Sequence, residues 1–275
     1  MRKKAVRIIT GSYGCLCALL LVAGCAGLPS IRVPQKAYDA AIPIPDARLP
    51  DYEKLTYEIR WLGLRVGTLT ASIVERKQFR DREVYVLEAT VKTSAFFSSI
   101  YKIEDRFVSY VDAQKLYTIR HEVYRRDGAY KKDAVTEFDQ ESHKAHFKNS
   151  LDMSEKTFDI PAGVHDILSA CYYFMLLPLK VGDKIEYSVC NNETNYQFLG
   201  LIQPKVLIRV PALGRKESEA FLIQPYAKLK GEKVDKGNVS AYFSCEKRRL
   251  PLLATVKGPV FTEVTIVLSK IENRQ

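Results

Sequence analysis

The strongest constraint on how this chain can fold is an alternation of apolar and polar residues with a period of two. From Leu55 to Trp61 every second residue is apolar, which is typical of a half-buried strand. The alternation recurs to the end of the chain, between short turns, and Asp127-Gly128 predicts a hairpin between two such runs. Strands do not alternate regularly with helices, so the pattern excludes a parallel α/β fold.

The strands predicted from this alternation share β-branched and aromatic residues. They are Leu55–Trp61, Arg65–Arg76, Glu83–Thr93, Tyr101–Val111, Leu116–Tyr124, Tyr130–Phe138, His143–Asn149, Glu155–Ile160, Lys184–Cys190, Tyr196–Leu201, Lys205–Val210, Glu219–Pro225, Val239–Ser244, Leu252–Val256 and Val260–Lys270.

One segment, Asp166–Leu177, has helical spacing, with Ile167, Cys171 and Phe174 on one face. Asp166 is the predicted N-cap, and Pro178 ends the run. Residues 53–275 are therefore predicted to form a mainly β domain, a strongly curved antiparallel sheet or partly open β-barrel with one packed α-helix. The pattern does not decide whether the sheet interior is filled or open to a ligand.

The amino-terminal residues 1–24 have the features of an export signal. Four basic residues precede an apolar run from Cys15 to Ala23, which is shorter than the roughly 20 residues of a membrane-spanning helix. The run ends in Leu21-Val22-Ala23-Gly24-Cys25, which resembles the lipobox of bacterial lipoproteins. That resemblance implies that Cys25 is lipidated and becomes the mature amino terminus. Several acyl chains on one residue would bind the protein stably to a membrane.

The resemblance also suggests where the anchored protein resides. Ala26, and not an aspartate, follows Cys25. By the Gram-negative sorting rule this implies the outer membrane, with the body facing the periplasm.

Removing residues 1–24 takes away four of 42 Lys and Arg and none of 32 Asp and Glu, so the net charge falls from +10 to +6. The remaining charge is dispersed, and no basic cluster interleaved with aromatic residues indicates a nucleic-acid partner.

Residues 25–52 are predicted to form a tether. Five of the 12 prolines of the chain fall there, and proline both removes a backbone donor and keeps the preceding residue extended. As a polyproline II helix, at about 3.1 Å per residue, the tether would hold the body roughly 80 Å from the bilayer. Alternatively, part of it, around Ile42–Leu49, packs along the body as an irregular arm.

Several ordered motifs in the body resemble the DUF3108 family of bacterial exported proteins. They are Leu55-x-Tyr57, Trp61-x-Gly63, Gly67-Thr68, Tyr101-x-Ile103-x-Asp105, His165-Asp166-Ile167-Leu168-Ser169 with Tyr172, Pro178-Leu179 with Gly182, and Arg249-Leu250-Pro251. The resemblance covers about Leu55–Ile271. It implies an envelope location and a β-rich fold, and it assigns no catalytic residue.

Four side chains are candidates for a ligand or functional role: Trp61, Asp105, His165 and Asp166. Asp105 shares a strand face with apolar residues, so it is predicted to be buried and to bind an arginine or a backbone turn. His165-Asp166 suggests a general base, although Asp166 has a simpler role as a helix cap.

The sequence provides no pattern for a metal or cofactor. His143 and His146 have an odd spacing, which points them to opposite faces of a strand, and no further ligands accompany them. Gly-rich phosphate loops and hydrolase motifs are absent from the sequence. Besides the lipidated Cys25, Cys171, Cys190 and Cys245 remain in the mature body, so one internal disulfide at most can form, in any of three pairings. Cys171, on the apolar helix face, is predicted to be the buried thiol.

These features favour a non-catalytic outer-membrane lipoprotein. Its curved sheet would bind an apolar or amphiphilic ligand, or a partner protein, in envelope assembly or maintenance. One alternative is an envelope glycan or lipid hydrolase or transferase, in which Asp105, His165 and Asp166 converge. Another is a structural spacer without a ligand.

Overall fold

A computed structural model describes residues 48–214, 216–234, 238–257 and 263–273. The predicted signal peptide, Cys25, most of the tether and the start of the last predicted strand lie outside these ranges. No helix within them is long and apolar enough to cross a membrane.

Within the described ranges the chain forms sixteen strands, two α-helices and a 3₁₀ turn. The strands are β1 (Glu53–Trp61), β2 (Leu64–Phe79), β3 (Arg82–Thr93), β4 (Glu104–Asp112), β5 (Thr118–Asp127), β6 (Tyr130–Asp139), β7 (Lys144–Asn149), β8 (Glu155–Asp159), β9 (Lys184–Asn191), β10 (Thr194–Ile208), β11 (Ser218–Ile223), β12 (Tyr226–Leu229), β13 (Glu232–Val234), β14 (Asn238–Ser244), β15 (Pro251–Lys257) and β16 (Glu263–Glu272). The helices are α1 (Ala95–Ser98) and α2 (Ile167–Leu176), and the 3₁₀ turn is Pro211–Leu213.

The strands form one antiparallel sheet in the order β13-β12-β10-β11-β14-β15-β16-β1-β2-β3-β4-β5-β6-β7-β8. From β1 to β8 the chain is a meander in which each strand pairs with the next. β16 returns to pair with β1 at the middle of the sheet, and β9 pairs with the first half of β10. The sheet does not close into a complete barrel. The prediction of a mainly β domain with a curved antiparallel sheet is confirmed.

The main core cluster combines α2 with strands from both halves of the sheet, and two smaller clusters lie beside it. Nine of the ten α2 residues are buried, so the helix is enclosed and does not lie on the sheet by one face. Cys171 is the partly exposed exception, and Cys190 in β9 is the fully buried thiol. The prediction that Cys171 is the buried thiol was therefore wrong, because the helix is apolar on all sides. Among the described residues, the three cysteines form no disulfide.

The carboxyl end of the predicted tether is in contact with the body. Leu49 is buried in the main core cluster, and its carbonyl oxygen accepts a hydrogen bond from the Tyr85 hydroxyl at 3.1 Å. The chain then enters β1 at Glu53. The tether therefore joins the body at the end of the sheet where β1 begins.

Glycine 67, in one of the family-like motifs, allows two strands to approach closely. A Cβ atom at this position would lie 2.6 Å from the Lys92 carbonyl oxygen of β3. Gly128, in the predicted Asp127-Gly128 turn, has a φ of +59° and lies under the Tyr101 ring. Both positions require glycine for a physical reason, close approach in one and a left-handed backbone in the other.

Candidate functional site

Asp166 stands at the centre of a buried polar network at the start of α2. Its Oδ1 accepts hydrogen bonds from the backbone N–H groups of Leu168 at 2.7 Å and Ser169 at 3.1 Å, which confirms the predicted N-cap. Hydroxyl groups from two strands complete its shell: Ser109 donates to Oδ1 at 2.8 Å and Thr118 donates to Oδ2 at 2.7 Å. The carboxylate thus joins the helix to β4 and β5.

The network stabilises the ionised form of Asp166. Burial alone would raise the pKa of this fully enclosed carboxyl group. The nearby His121 and the hydrogen bonds from Thr118, Ser109 and Ser169 oppose that effect and hold the pKa of Asp166 below its ordinary value. His121 Nδ1 lies 3.5 Å from Asp166 Oδ1. The carboxylate is saturated with donors, so it is poorly placed to act as a general base.

His165 precedes the cap and lies in an aromatic enclosure. Its ring centroid is 4.4 Å from that of Tyr173 and 5.7 Å from that of Tyr187. Backbone bonds fix the residue, since its N–H donates to the Ser188 carbonyl and its own carbonyl accepts from the Cys190 N–H. Neither ring nitrogen has a hydrogen-bond partner among the described residues. Burial lowers the pKa of His165 to about 4, against a smaller raising effect of Asp166, so the imidazole is neutral at pH 7.

Asp105 belongs to a second, separate cluster. Its Oδ2 accepts from the Arg125 guanidinium at 3.1 Å and its Oδ1 accepts from the Arg126 backbone N–H at 2.8 Å. Arg125 also donates to Asp127 at 2.9 Å. Burial raises the pKa of Asp105, although the Arg125 charge and the Arg126 N–H act in the opposite direction. Asp105 thus binds an arginine, which was one of the two predicted partners, and a backbone N–H of strand β5 in place of a turn.

The structure does not bring the predicted acid and base groups together. Asp105 and Ser109, which binds Asp166, are four residues apart on β4, a separation of about 13 Å at the rise of a strand. Asp105 and His165 are each 1% exposed and Asp166 is fully buried. General acid–base catalysis needs such groups within hydrogen-bond reach of a substrate. The convergence that the hydrolase alternative requires is therefore absent from the described residues.

Trp61 lies apart from both clusters. It is half-buried at the last position of β1, where it pairs with Leu64 of β2 and Val264 of β16. No hydrogen bond connects it to a predicted site residue within the described ranges. In the same ranges, no group of three His, Cys, Asp or Glu side chains is placed to hold a metal ion.

Arg249 is a functional position that the sequence reasoning missed. Its backbone N–H donates to the Met175 carbonyl, and its guanidinium donates to the carbonyls of Leu177 and, at 2.7 Å, of Leu179. These carbonyls are at and just beyond the end of α2, where backbone acceptors lack partners within the helix. The guanidinium also lies 5.7 Å from the Phe221 ring centroid. The only sequence signal for this role was the Arg249-Leu250-Pro251 motif.

Several of the motif residues serve one structural element. His165, Asp166 and Ser169 are at the amino end of α2, and Arg249 holds its carboxyl end. Between them, the Tyr57 hydroxyl donates to the Pro251 carbonyl oxygen at 3.0 Å and connects β1 to the segment that follows Arg249. The side chains of Asp166 and Arg249 are therefore used to hold the two ends of the enclosed helix.

Substitution of Arg249 tests this interpretation. Arg249→Met keeps much of the apolar stem but leaves the Leu179 carbonyl without its donor and the Leu177 carbonyl with the Leu179 N–H alone. We therefore expect the free energy of unfolding to fall by about 2 kcal/mol. Arg209→Met is the matched control, because Arg209 is 71% exposed and pairs only with Glu217 at the surface. Urea denaturation of both variants would measure the difference. Equal stability of the two would contradict the capping role.

The surface of the body also has a hollow. It has a volume of about 370 Å³ and lies between the β2–β3 and β6–β7 turns. Its lining mixes Arg80, Arg82 and Lys144 with Asp81 and Glu141. Charges of both signs alternate there without a convergent set of donors, so the hollow indicates no particular ligand.

Comparison with known proteins agrees with this fold and motif set. A family model described as "Protein of unknown function (DUF3108)" matches residues 56–265, most of the described body. The chain belongs to the DUF3108 family. None of the curated proteins matches it.

Solved structures show the fold that the DUF3108 chain shares. A β-barrel-like protein of the DUF1849 domain from Brucella abortus superposes with a TM-score of 0.55 at 8% identity, over 82% of this chain and 98% of that one. A "putative lipoprotein" from Parabacteroides distasonis gives a TM-score of 0.37 at 6% identity, over 83% and 99% of the two chains. At these identities the first similarity supports the barrel-like architecture alone.

Proposed function

We propose that this DUF3108 protein is a lipid-anchored protein of the bacterial envelope that works without catalysis. Its body would bind a second envelope component through its outer surface, in envelope assembly or maintenance. The observation that carries this proposal is the use of the polar motif residues: Asp166 and Arg249 hold the two ends of an enclosed helix. A protein selected for binding by its surface needs such a rigid interior.

The enclosed helix also bears on where a ligand could bind. Residues of α2 such as Tyr172, Tyr173 and Phe174 are buried against both halves of the sheet, in the space that an amphiphile inside the sheet would occupy. This arrangement favours the outer surface over the interior as the binding region. We therefore propose binding through the outer surface of the body and not through the interior of the sheet.

The anchor is part of the proposal, and it rests on the Leu21–Cys25 lipobox resemblance. The position of Ala26 supports an outer-membrane location with the body in the periplasm. The tether joins the body at Leu49 and Glu53, so the body would stand on its tether by the start of β1.

Substitution of Cys25 tests the anchor. In a Gram-negative host fed labelled palmitate, we expect the wild-type chain to incorporate label and fractionate with membranes, and Cys25→Ser to incorporate none, because serine cannot form the thioether. Cys17→Ser is the matched control, since Cys17 lies in the same apolar segment but not in the lipobox. Label retained in Cys25→Ser, or lost only in Cys17→Ser, would refute the proposed anchor.

A further inference from the structure

Exposed apolar side chains are concentrated at one end of the sheet. Leu62 and Leu64 flank the β1–β2 turn and are 61% and 62% exposed. Phe96 in α1 and Ile100 just after it are 72% and 68% exposed. We call these four residues the apolar rim. Large apolar side chains exposed together in this way mark an interaction surface.

The four rim residues lie next to one another because their segments are hydrogen-bonded. Gly67 of β2 pairs with Thr93 of β3, and the Ser94 N–H donates to the Val66 carbonyl at 2.9 Å. The continuation of this register places the residues before Val66 beside α1. The Ile100 N–H in turn donates to the Phe97 carbonyl, so Ile100 folds back against the helix.

The neighbouring turns at this end of the sheet extend the rim. The Gly128 N–H donates to the Lys102 carbonyl and joins the β5–β6 turn, with half-exposed Tyr130, to the segment after α1. The β7–β8 turn comes next and carries exposed Leu151 and Met153. Seven of the twelve exposed large apolar residues in the described ranges are therefore on turns at this one end.

Cations surround the apolar rim. The side chains of Arg65, Lys92 and Lys102 are 57%, 61% and 67% exposed. Both lysines share one acid, Glu104, at 2.9 Å and 3.3 Å. Arg65 also lies 3.8 Å from Glu58. Residues 58–66 and 92–104 together contain four cations and these two acids, which leaves a net charge of +2. A cationic border around apolar side chains is complementary to an anionic lipid surface.

The geometry favours a bilayer over a protein segment as the occupant. The rim side chains stand at the tips of separate turns, whereas an amphipathic helix or an added strand binds in a groove or along a strand edge. Turn tips with Phe, Leu and Ile between lysines are suited to shallow insertion among lipid headgroups.

The rim and the tether are at opposite ends of the body. β1 begins at Glu53, beside the tether, and ends at Trp61, beside Leu62. Its nine residues span about 30 Å at the rise of a strand. A body that stands on its tether therefore presents the rim away from the membrane that holds the anchor.

We propose that the apolar rim docks onto the anionic phospholipid surface of a membrane that faces the anchoring membrane. The proposal names the second component of the proposed function and rests on that function for its anchor. The docking itself depends only on the rim, so it can be tested with a chain that lacks the lipid anchor.

Vesicle flotation of the mature chain from Ala26 onward tests the docking. This chain lacks the acylated cysteine and keeps every described residue. We expect it to bind vesicles of phosphatidylethanolamine and phosphatidylglycerol, and to bind phosphatidylcholine vesicles far less. Leu64→Ser with Phe96→Ser should weaken binding by about tenfold or more, because each lost side chain removes buried apolar area. Added salt should also weaken it, since screening reduces the attraction of the cations.

The matched control is Leu207→Ser. Leu207 is 64% exposed, close to the 62% of Leu64. It lies near the end of β10, in the part that pairs with the start of β11, and this part of the sheet is remote from the rim. Its variant should bind vesicles as the wild type does, and circular dichroism should show that all variants are folded. Absence of wild-type binding, or equal loss in Leu207→Ser, would overturn the docking proposal, while palmitate labelling of Cys25 would be unaffected.

A bridging assay tests which membrane is docked. The lipidated full chain is placed in phosphatidylcholine vesicles and mixed with phosphatidylglycerol-containing vesicles, and clustering is followed by light scattering. We expect clustering that the Leu64→Ser, Phe96→Ser variant abolishes. Binding in flotation without clustering here would rule out the facing membrane. A photoreactive residue at position 100 that crosslinks to a protein and not to lipid in the intact envelope would contradict the proposal altogether.

Discussion

Asp166→Ala is expected to lower the free energy of unfolding by about 3–5 kcal/mol, enough to unfold a marginally stable domain. The substitution removes the helix cap and leaves the backbone N–H groups of Leu168 and Ser169 without their acceptor. The buried hydroxyls of Ser109 and Thr118 also lose the carboxylate and keep one neutral partner each, His121 Nδ1 and Ser169 Oγ. Urea denaturation followed by far-UV circular dichroism would measure the change.

The chain contains a matched control for this substitution. Asp152 also accepts hydrogen bonds from a backbone N–H and a hydroxyl, both of Ser154, but it does so in an exposed turn. Asp152→Ala should leave the stability almost unchanged, because water replaces the lost partner. Asp166→Asn should fall between the two alanine variants, since the amide keeps one acceptor oxygen. A stable, soluble Asp166→Ala protein would show that the network does not hold the helix.

The local features of α2 could be predicted from sequence, and its environment could not. Asp166 and Pro178 mark the ends of the helix because capping and termination depend on a few neighbouring residues. The contact between Arg249 and the Leu177 carbonyl joins residues 72 positions apart. Such pairings are fixed by the return of β14 and β15 to the sheet, which no local pattern encodes.

The strands show the same distinction. Two strands were predicted at Tyr196–Leu201 and Lys205–Val210, whereas the structure has one, β10. Pro204 lies between the two predicted strands, and the pairing of β10 with β11 shifts between Ile202 and Lys205. The proline is exposed at this irregularity, where β10 changes partners from β9 and β12 to β11. The chain continues through the break because new partners satisfy its backbone.

Smaller elements were missed for different reasons. The segment Ala95–Ser99, which lies between two predicted strands, contains α1, a single turn closed by a hydrogen bond from the Ser98 N–H to the Ser94 carbonyl. β12 and β13 have four and three residues, too few for a period of two to be recognised. For Asp105 the sequence predicted a buried hydrogen-bonding role, and for Asp166 a helix cap. The distance between these two aspartates is known only from the sheet register.

His165 is expected to make the protein sensitive to acid. Its pKa is about 4 in the folded protein and 6.5 when exposed, because the aromatic enclosure disfavours the charged imidazolium. Between these two values the unfolded chain binds a proton that the folded chain does not. Stability contributed by neutral His165 is therefore present above pH 6.5, and it falls by about 3 kcal/mol as the pH drops to 4.

His165→Phe should remove this part of the acid sensitivity. At pH 7 the phenylalanine variant should be as stable as the wild type or more so, because the two ring nitrogens of His165 are buried without partners. Urea midpoints measured from pH 7 to pH 4 should fall less steeply for His165→Phe than for the wild type. Parallel slopes for the wild type and His165→Phe would contradict this prediction. They would mean that the buried imidazole is protonated or hydrogen-bonded inside the folded protein.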